Sequence, residues 1–217
     1  MNKIVCYGDS NTWGYVPGTG ERFDADTRWP ARLQTELGSE FCVIEEGMNA
    51  RSTSFDDPFC EGLNGKKTLL QTLMAARPID LLIISLGTND LKFTDARGSS
   101  KGLSALLSAA LAADHGKHVG IWNDAPVILV ISPILLFPGI DTREPPSSLK
   151  GKYAESLRFK DYYGPVCQAN GVFFLDASAY TTASEIDCVH MDAENHKILS
   201  VAVSDMVRRI HMYFPRA

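Results

Sequence analysis

Val5-Cys6-Tyr7-Gly8-Asp9-Ser10-Asn11-Thr12 is the stretch from which the fold can be read. Ile4 to Tyr7 is a short apolar run with the character of a buried strand, and it stops at a Gly-Asp-Ser turn. A serine just beyond the C-terminal end of a first strand lies where open α/β sheets place their ligands. The spacing is not the Gly-x-Ser-x-Gly elbow, because Asn11 and Thr12 follow the serine and no glycine closes the motif. Taken alone, small polar residues after a strand also suit an ordinary turn or a helix cap.

The rest of the chain repeats that first unit. Phe41–Ile44, Leu81–Ile84, Val127–Ile131 and Val172–Leu175 are further short apolar runs, each ending in polar or glycine residues. Between them come helical patterns. One has Pro30 in its first turn, Leu33 and Leu37 on one face and Gly38 as its stop. Lys66 to Arg77 places Leu69, Leu70, Leu73 and Met74 on one side, and Leu103 to Ala113 is rich in strong helix formers. Gly151 to Ala169 is expected to kink at Gly164-Pro165. Ala193 to Met212, with Asp192 as N-cap, presents Ile198, Leu199, Ala202, Val203, Met206 and Ile210 as its buried face. Strands that are apolar throughout and alternate with helices predict a parallel sheet covered on both faces. The expected fold is therefore α/β: a three-layer sandwich with a five-stranded parallel sheet in the flavodoxin-like order 2-1-3-4-5, forming a single domain over residues 1–217.

Composition narrows the function classes. With 217 residues, 45% of them hydrophobic, the chain can bury a core without disulfides or metal. A net charge of −5 and scattered Lys and Arg leave no basic footprint for nucleic acid or an anionic membrane, and no apolar run reaches spanning length. The five cysteines are widely spaced with no Cys-x-x-Cys pair, which disfavours zinc ribbons and redox pairs and suggests a reducing compartment. Met1-Asn2-Lys3 runs directly into the first strand, so no signal peptide is expected and a cytoplasmic location is.

A nucleophilic Ser10 needs a base, and five histidines offer one. His115 and His118 flank Gly116 in a polar loop and read as solvated or capping residues, His211 suits the last turn of the final helix, and His196 reads as structural. His190 differs, because Asp187 stands three residues before it. If that loop coils through one turn, the carboxylate can accept from Nδ1–H and leave Nε2 to take the serine proton. The competing readings are a decorated loop, or a metal site from Asp187, His190, Asp192 and His196 that lacks a His-x-x-x-His pair or any thiolate. Asn89, at the end of the third strand, offers a neutral N–H donor for an oxygen that becomes negative in acyl transfer. The backbone N–H groups of Ser10 and Gly47 would complete such a hole.

Gly8-Asp9-Ser10, Gly47, Gly87-Thr88-Asn89-Asp90 and Asp187-x-x-His190, in that order, resemble the four blocks of the SGNH (GDSL-type) hydrolases. The runs around Trp13-Gly14, Arg28-Trp29, Val43-Ile44-Glu45-Glu46-Gly47 and Leu63-Asn64-Gly65 resemble the arylesterase/acyltransferase branch. The resemblance implies Ser10, Asp187 and His190 as triad, an oxyanion hole of Ser10, Gly47 and Asn89, and a small-molecule short-chain ester as substrate. It also implies no cofactor or metal, and a homo-oligomer. Asn11 departs from the leucine of the family pattern. Asn11, Trp13, Tyr15, Lys92, Leu135 and Phe137 are the expected pocket walls, and an apolar mouth there would favour transfer of the acyl group to alcohols over water. A carbohydrate acetylesterase using the same machinery, or a non-catalytic flavodoxin-like binding module, are the alternatives.

Overall fold

The computed structural model describes residues 1–113, 118–119, 122–123 and 127–213. The readings of His115 and His118 as solvated or capping side chains lie outside what is described. The main sheet has five strands: β1 (Asn2–Gly8), β2 (Phe41–Gly47), β3 (Leu81–Ser85), β4 (Val127–Ile131) and β5 (Phe173–Leu175). Their order is β2-β1-β3-β4-β5 and every pairing is parallel, as the apolar runs predict. A separate two-residue antiparallel pair joins His118–Val119 to Trp122–Asn123.

Alternate side chains along each strand feed two cores, because successive Cβ atoms point to opposite faces. Val5, Tyr7, Leu82, Ile84, Ile128 and Val130 face one layer. It is built from α3 (Gly65–Ala76), α4 (Ala96–Ala112) and α6 (Phe159–Ala169). Ile4, Cys6, Leu81, Ile83, Leu129 and Ile131 face the other layer. That one consists of α2 (Trp29–Leu37) and α7 (Ala193–Ile210), which pack on each other. Each fully buried aliphatic side chain contributes about 1.5–3 kcal/mol, and β1, β3 and β4 are buried on both faces, so each supplies side chains to both cores. Sheet order reverses beside β1 and β3, and the crevice beyond their C-terminal ends is where a site is expected.

Four helix boundaries or faces differ from the sequence reading. α4 begins at Ala96, seven residues before Leu103, because the Asp95 side chain caps it at the Gly98 N–H (2.7 Å). The weak helix formers in those added residues are held by packing: Ser99 donates to Asp90 at 2.6 Å, and a Cβ on Gly102 would come within 2.1 Å of Thr53 Oγ1. The segment expected to kink at Gly164-Pro165 instead breaks at Leu157-Arg158, between α5 (Tyr153–Ser156) and α6. Pro165 stays inside α6 on its exposed side, while Phe159, Tyr163 and Cys167 anchor the opposite face. In α3, Leu70 and Met74 are half-exposed, and the buried apolar side chains are Leu69, Leu73 and Ala76. In α7, Ile198 faces outward while Val207 joins the core.

Candidate active site

β1 ends at Gly8 and the chain turns at once into a four-residue helix, α1 (Ser10–Trp13). The turn is this tight because Gly8 lacks a Cβ, which would sit 2.0 Å from Thr12 Oγ1. Asp9 caps α1 by accepting the Asn11 N–H at 3.0 Å, and Gly14, at φ 92°, closes it by donating to the Ser10 carbonyl. Ser10 is thereby held at the rim of the sheet. Burial pushes the Asp9 carboxyl up to about 6, opposed by its bond to Asn11 and by the charges of His190, Lys92 and Arg51.

The partner arrives from the far end of the chain. Cys188, at φ 68°, adopts a left-handed conformation that bends residues 187–190 into a tight turn. Asp187 Oδ1 accepts the N–H groups of Val189 (3.0 Å) and His190 (2.9 Å). Asp187 Oδ2 accepts His190 Nδ1 at 2.7 Å and the Gly18 N–H at 3.1 Å. His190 Nε2 lies 2.9 Å from Ser10 Oγ. With an ionised Asp187 accepting Nδ1–H, the bare Nε2 accepts the serine hydroxyl proton. The Tyr15 ring stacks on the imidazole, with centroids 4.1 Å apart and planes at 25°.

Burial alone would raise the Asp187 carboxyl. Its bonds to the His190 side chain and to the His190 and Val189 N–H groups outweigh that and hold it at about 2. A carboxyl held below its unfolded value of about 3.9 contributes stability above that pH and loses it as pH falls toward 2. Urea unfolding of the wild type and Asp187→Asn between pH 6 and 2.5 is expected to show a gap of about 1–2 kcal/mol that is constant above pH ~4.5 and closes below it. A gap that persists unchanged into strong acid would show that the carboxylate charge does not carry it.

Asn89 sits in a 3-10 turn (Thr88–Lys92) just after β3. One of its side-chain N–H groups donates to the Arg51 carbonyl at 3.2 Å, which orients the amide. Arg51 is itself fixed: its guanidinium donates to the carbonyls of Gly8 and Glu46 and lies 4.0 Å over the Tyr7 ring. The neighbouring Asp90 is a buried lock, accepting Thr53 N–H, Thr53 Oγ1 and Ser99 Oγ.

A cavity of about 370 Å³ opens over Ser10, and His190, Asp187, Asn89, Tyr15 and Lys92 also border it, as the sequence suggests. Burial lowers the Lys92 ammonium from its ordinary value, while Asp57 and Asp9 counter the shift.

The other expected wall residues lie elsewhere. Neither Leu135 nor Phe137 borders the cavity: Leu135 O accepts Ala183 N–H, Phe137 N–H donates to Cys188 O, and the partly buried Phe137 ring packs against both apolar layers. Trp13 is covered by the Arg22 guanidinium at 5.3 Å. Asn11 turns away from the cavity toward residues 189–191. Gly47 does not border the cavity either. A Cβ there would stand 2.2 Å from Trp13 N, so this glycine lets α1 pack on the end of β2.

Residues the sequence did not single out take those places: Asn49, Ala50, Arg143, Ser147, Ser148 and Leu149. Ala50 adopts φ 63°, and its N–H donates to no acceptor among the described residues. Alanine carries no preference for that conformation, so its residue type gave no signal. Among the described residues no three His, Cys, Asp or Glu side chains gather as a metal site. His196 is fully buried, accepts the Trp29 N–H at 3.3 Å and is pushed by burial to about 3, in keeping with a structural histidine. No helix of the described residues is long and apolar enough to cross a membrane.

The model of the GDSL-like lipase/acylhydrolase family matches residues 6–199. The chain belongs to that family. Among solved structures, this GDSL-like chain is similar to the native aryl esterase of M. smegmatis, with 35% identity, a TM-score of 0.87, and 96% of this chain and 99% of that one covered. It is also similar to Est24, a carbohydrate acetylesterase from Sinorhizobium meliloti, with 31% identity, a TM-score of 0.87, and 97% and 100% covered. No curated protein matches the sequence. The similarity spans both ends of the GDSL-like chain, and therefore both halves of the Ser10–His190 pair.

Proposed function

We propose that this GDSL-like protein is a serine esterase that cleaves short-chain carboxylic esters through an acyl-serine. The observation that carries the reading is the unbroken relay from Asp187 through His190 to Ser10, at 2.7 and 2.9 Å, at the edge of a cavity. Ser10 Oγ attacks the ester carbonyl carbon as His190 Nε2 takes its proton. The tetrahedral intermediate collapses, the alcohol oxygen leaves with that proton, and water repeats the sequence to release the acid. The Asn89 side chain and the Ser10 N–H are the proposed donors to the oxyanion. The unpartnered Ala50 N–H, beside them at the cavity, takes the place first assigned to Gly47. Treatment with an organophosphate fluoride, read by intact mass and peptide mapping, is expected to add one dialkylphosphoryl group at Ser10 with loss of fluoride. An enzyme left unlabelled, or labelled elsewhere, would remove Ser10 as nucleophile.

The cavity wall supports hydrolysis over transfer to alcohols. Of the apolar Ile134–Phe137 cluster that would have dried the mouth, Ile134 and Leu136 are buried in the cores and no member borders the cavity; Asn49, Lys92, Arg143, Ser147 and Ser148 border it instead. Such a wall offers hydrogen bonds to water and to polar alcohol groups alike. With p-nitrophenyl acetate and added ethanol, acetate is expected to exceed ethyl acetate as product. A majority of ethyl acetate would restore the transferase reading. Comparing p-nitrophenyl acetate with an acetylated sugar tests whether these polar groups select a hydroxylated leaving group.

A further inference from the structure

Asn11 immediately follows the nucleophile in α1, and its buried side chain reaches across to the segment that carries the base. Its Oδ1 accepts the Met191 N–H at 2.9 Å, and its Nδ2 donates to the Val189 carbonyl at 3.3 Å. These are the backbone groups on either side of His190. A primary amide carries the same donor and acceptor as a peptide unit. Here it reproduces the two-point grip by which one strand residue holds the residues flanking its opposite number in a parallel pair. The orientation of the amide is fixed by both bonds together, since exchanging its oxygen and nitrogen would face donor to donor and acceptor to acceptor. The backbone N–H of Asn11 is meanwhile held by Asp9 Oδ1 at 3.0 Å, so the amide projects from a capped, well-anchored turn.

We propose that Asn11 is a positioning residue for catalysis: its side chain clips the His190 backbone to the helix that presents Ser10 and so sets the 2.9 Å separation of Nε2 and Oγ. It touches neither substrate nor reacting atoms. Asp187 holds His190 from within its own turn, and Tyr15 covers one face of the ring. Asn11 makes the link from the nucleophile's own helix to the backbone on both sides of the base. Leucine at this position would fill similar space and supply neither bond, leaving the Val189 carbonyl and the Met191 N–H without these partners. A displacement of even 1 Å between reacting groups can cost on the order of 10²-fold in rate. Asp187 and Tyr15 still hold the imidazole, so a smaller loss is expected here.

The inference rests on the esterase reading, so the test runs wild type, Ser10→Ala, Asn11→Leu and Asn11→Ala side by side on p-nitrophenyl acetate. Asn11→Leu is expected to lose about 10-fold in kcat with KM changed by less than about two-fold, and to react with an organophosphate fluoride more slowly in the same proportion. Asn11→Ala, which cannot clash with residues 189–191, is expected to show the same split, and it decides the matter if the leucine variant does not fold. Activity is normalised to folded protein by thermal unfolding. A lowered Tm with kcat unchanged, or a loss confined to KM, would overturn the positioning role and leave Asn11 a structural residue. An inactive wild type would overturn the esterase reading instead.

Discussion

Ser10→Ala is expected to lower kcat for p-nitrophenyl acetate by on the order of 10³-fold or more while leaving the fold intact. The reasoning follows from where the hydroxyl sits. Ser10 is buried, its Oγ meets His190 Nε2, and α1 is held by the Asp9 cap and the Gly14 turn, neither of which uses the serine side chain. Removing one oxygen therefore deletes the attacking atom and little else. A stability change of about 0.5–1.5 kcal/mol, the usual net worth of one hydrogen bond, is expected for the lost contact with His190. The residual rate of the variant measures what the oxyanion donors and binding supply on their own. A variant retaining a tenth of wild-type activity would mean that some other group opens the ester, and the acyl-serine would have to be abandoned.

The second large effect is expected at Asn89. Its amide is already committed through one N–H to the Arg51 carbonyl, and Arg51 is held by two backbone carbonyls and the Tyr7 ring. The remaining N–H is thus pre-aimed, at no cost when negative charge develops on the substrate oxygen. Donors of this kind strengthen in the transition state more than in the ground state, so Asn89→Ala should lower kcat by about 10²–10³ with KM nearly unchanged. Steady-state kinetics on one neutral ester suffices. An unchanged kcat would take Asn89 out of the mechanism, and a rise in KM alone would make it a binding residue.

The parts of this site that were legible in the sequence are those whose chemistry is local. Five runs apolar on every residue announce strands buried on both faces, and the observed order follows from right-handed connections between them. Asp187 and His190 could be paired because a single tight turn brings residues three apart together, and it does. What escaped depends on tertiary contacts. The Gly98–Gly102 turn of α4 is held by Asp90 and Thr53 from other elements. Gly47 was rightly read as a place of close approach, but the neighbour is the backbone of Trp13 and not a ligand. Leu135 and Phe137 looked like a wall because their segment lacks periodicity, yet neither borders the cavity and Phe137 packs against the two cores. Arg143, Ser147 and Ser148 come from the same connection and border the cavity, with nothing in their spacing to mark them.

Ser10 and His190 stand 180 residues apart and meet only when α1 and the turn before α7 are both in place. During synthesis the hydroxyl leaves the ribosome long before its base exists. A chain cut short before residue 190 holds the residues of β1 to β5 but lacks both the base and the α7 face that covers one side of the sheet. The Ser10–His190 pair and the second apolar layer therefore depend on one segment, because α7 begins three residues after His190.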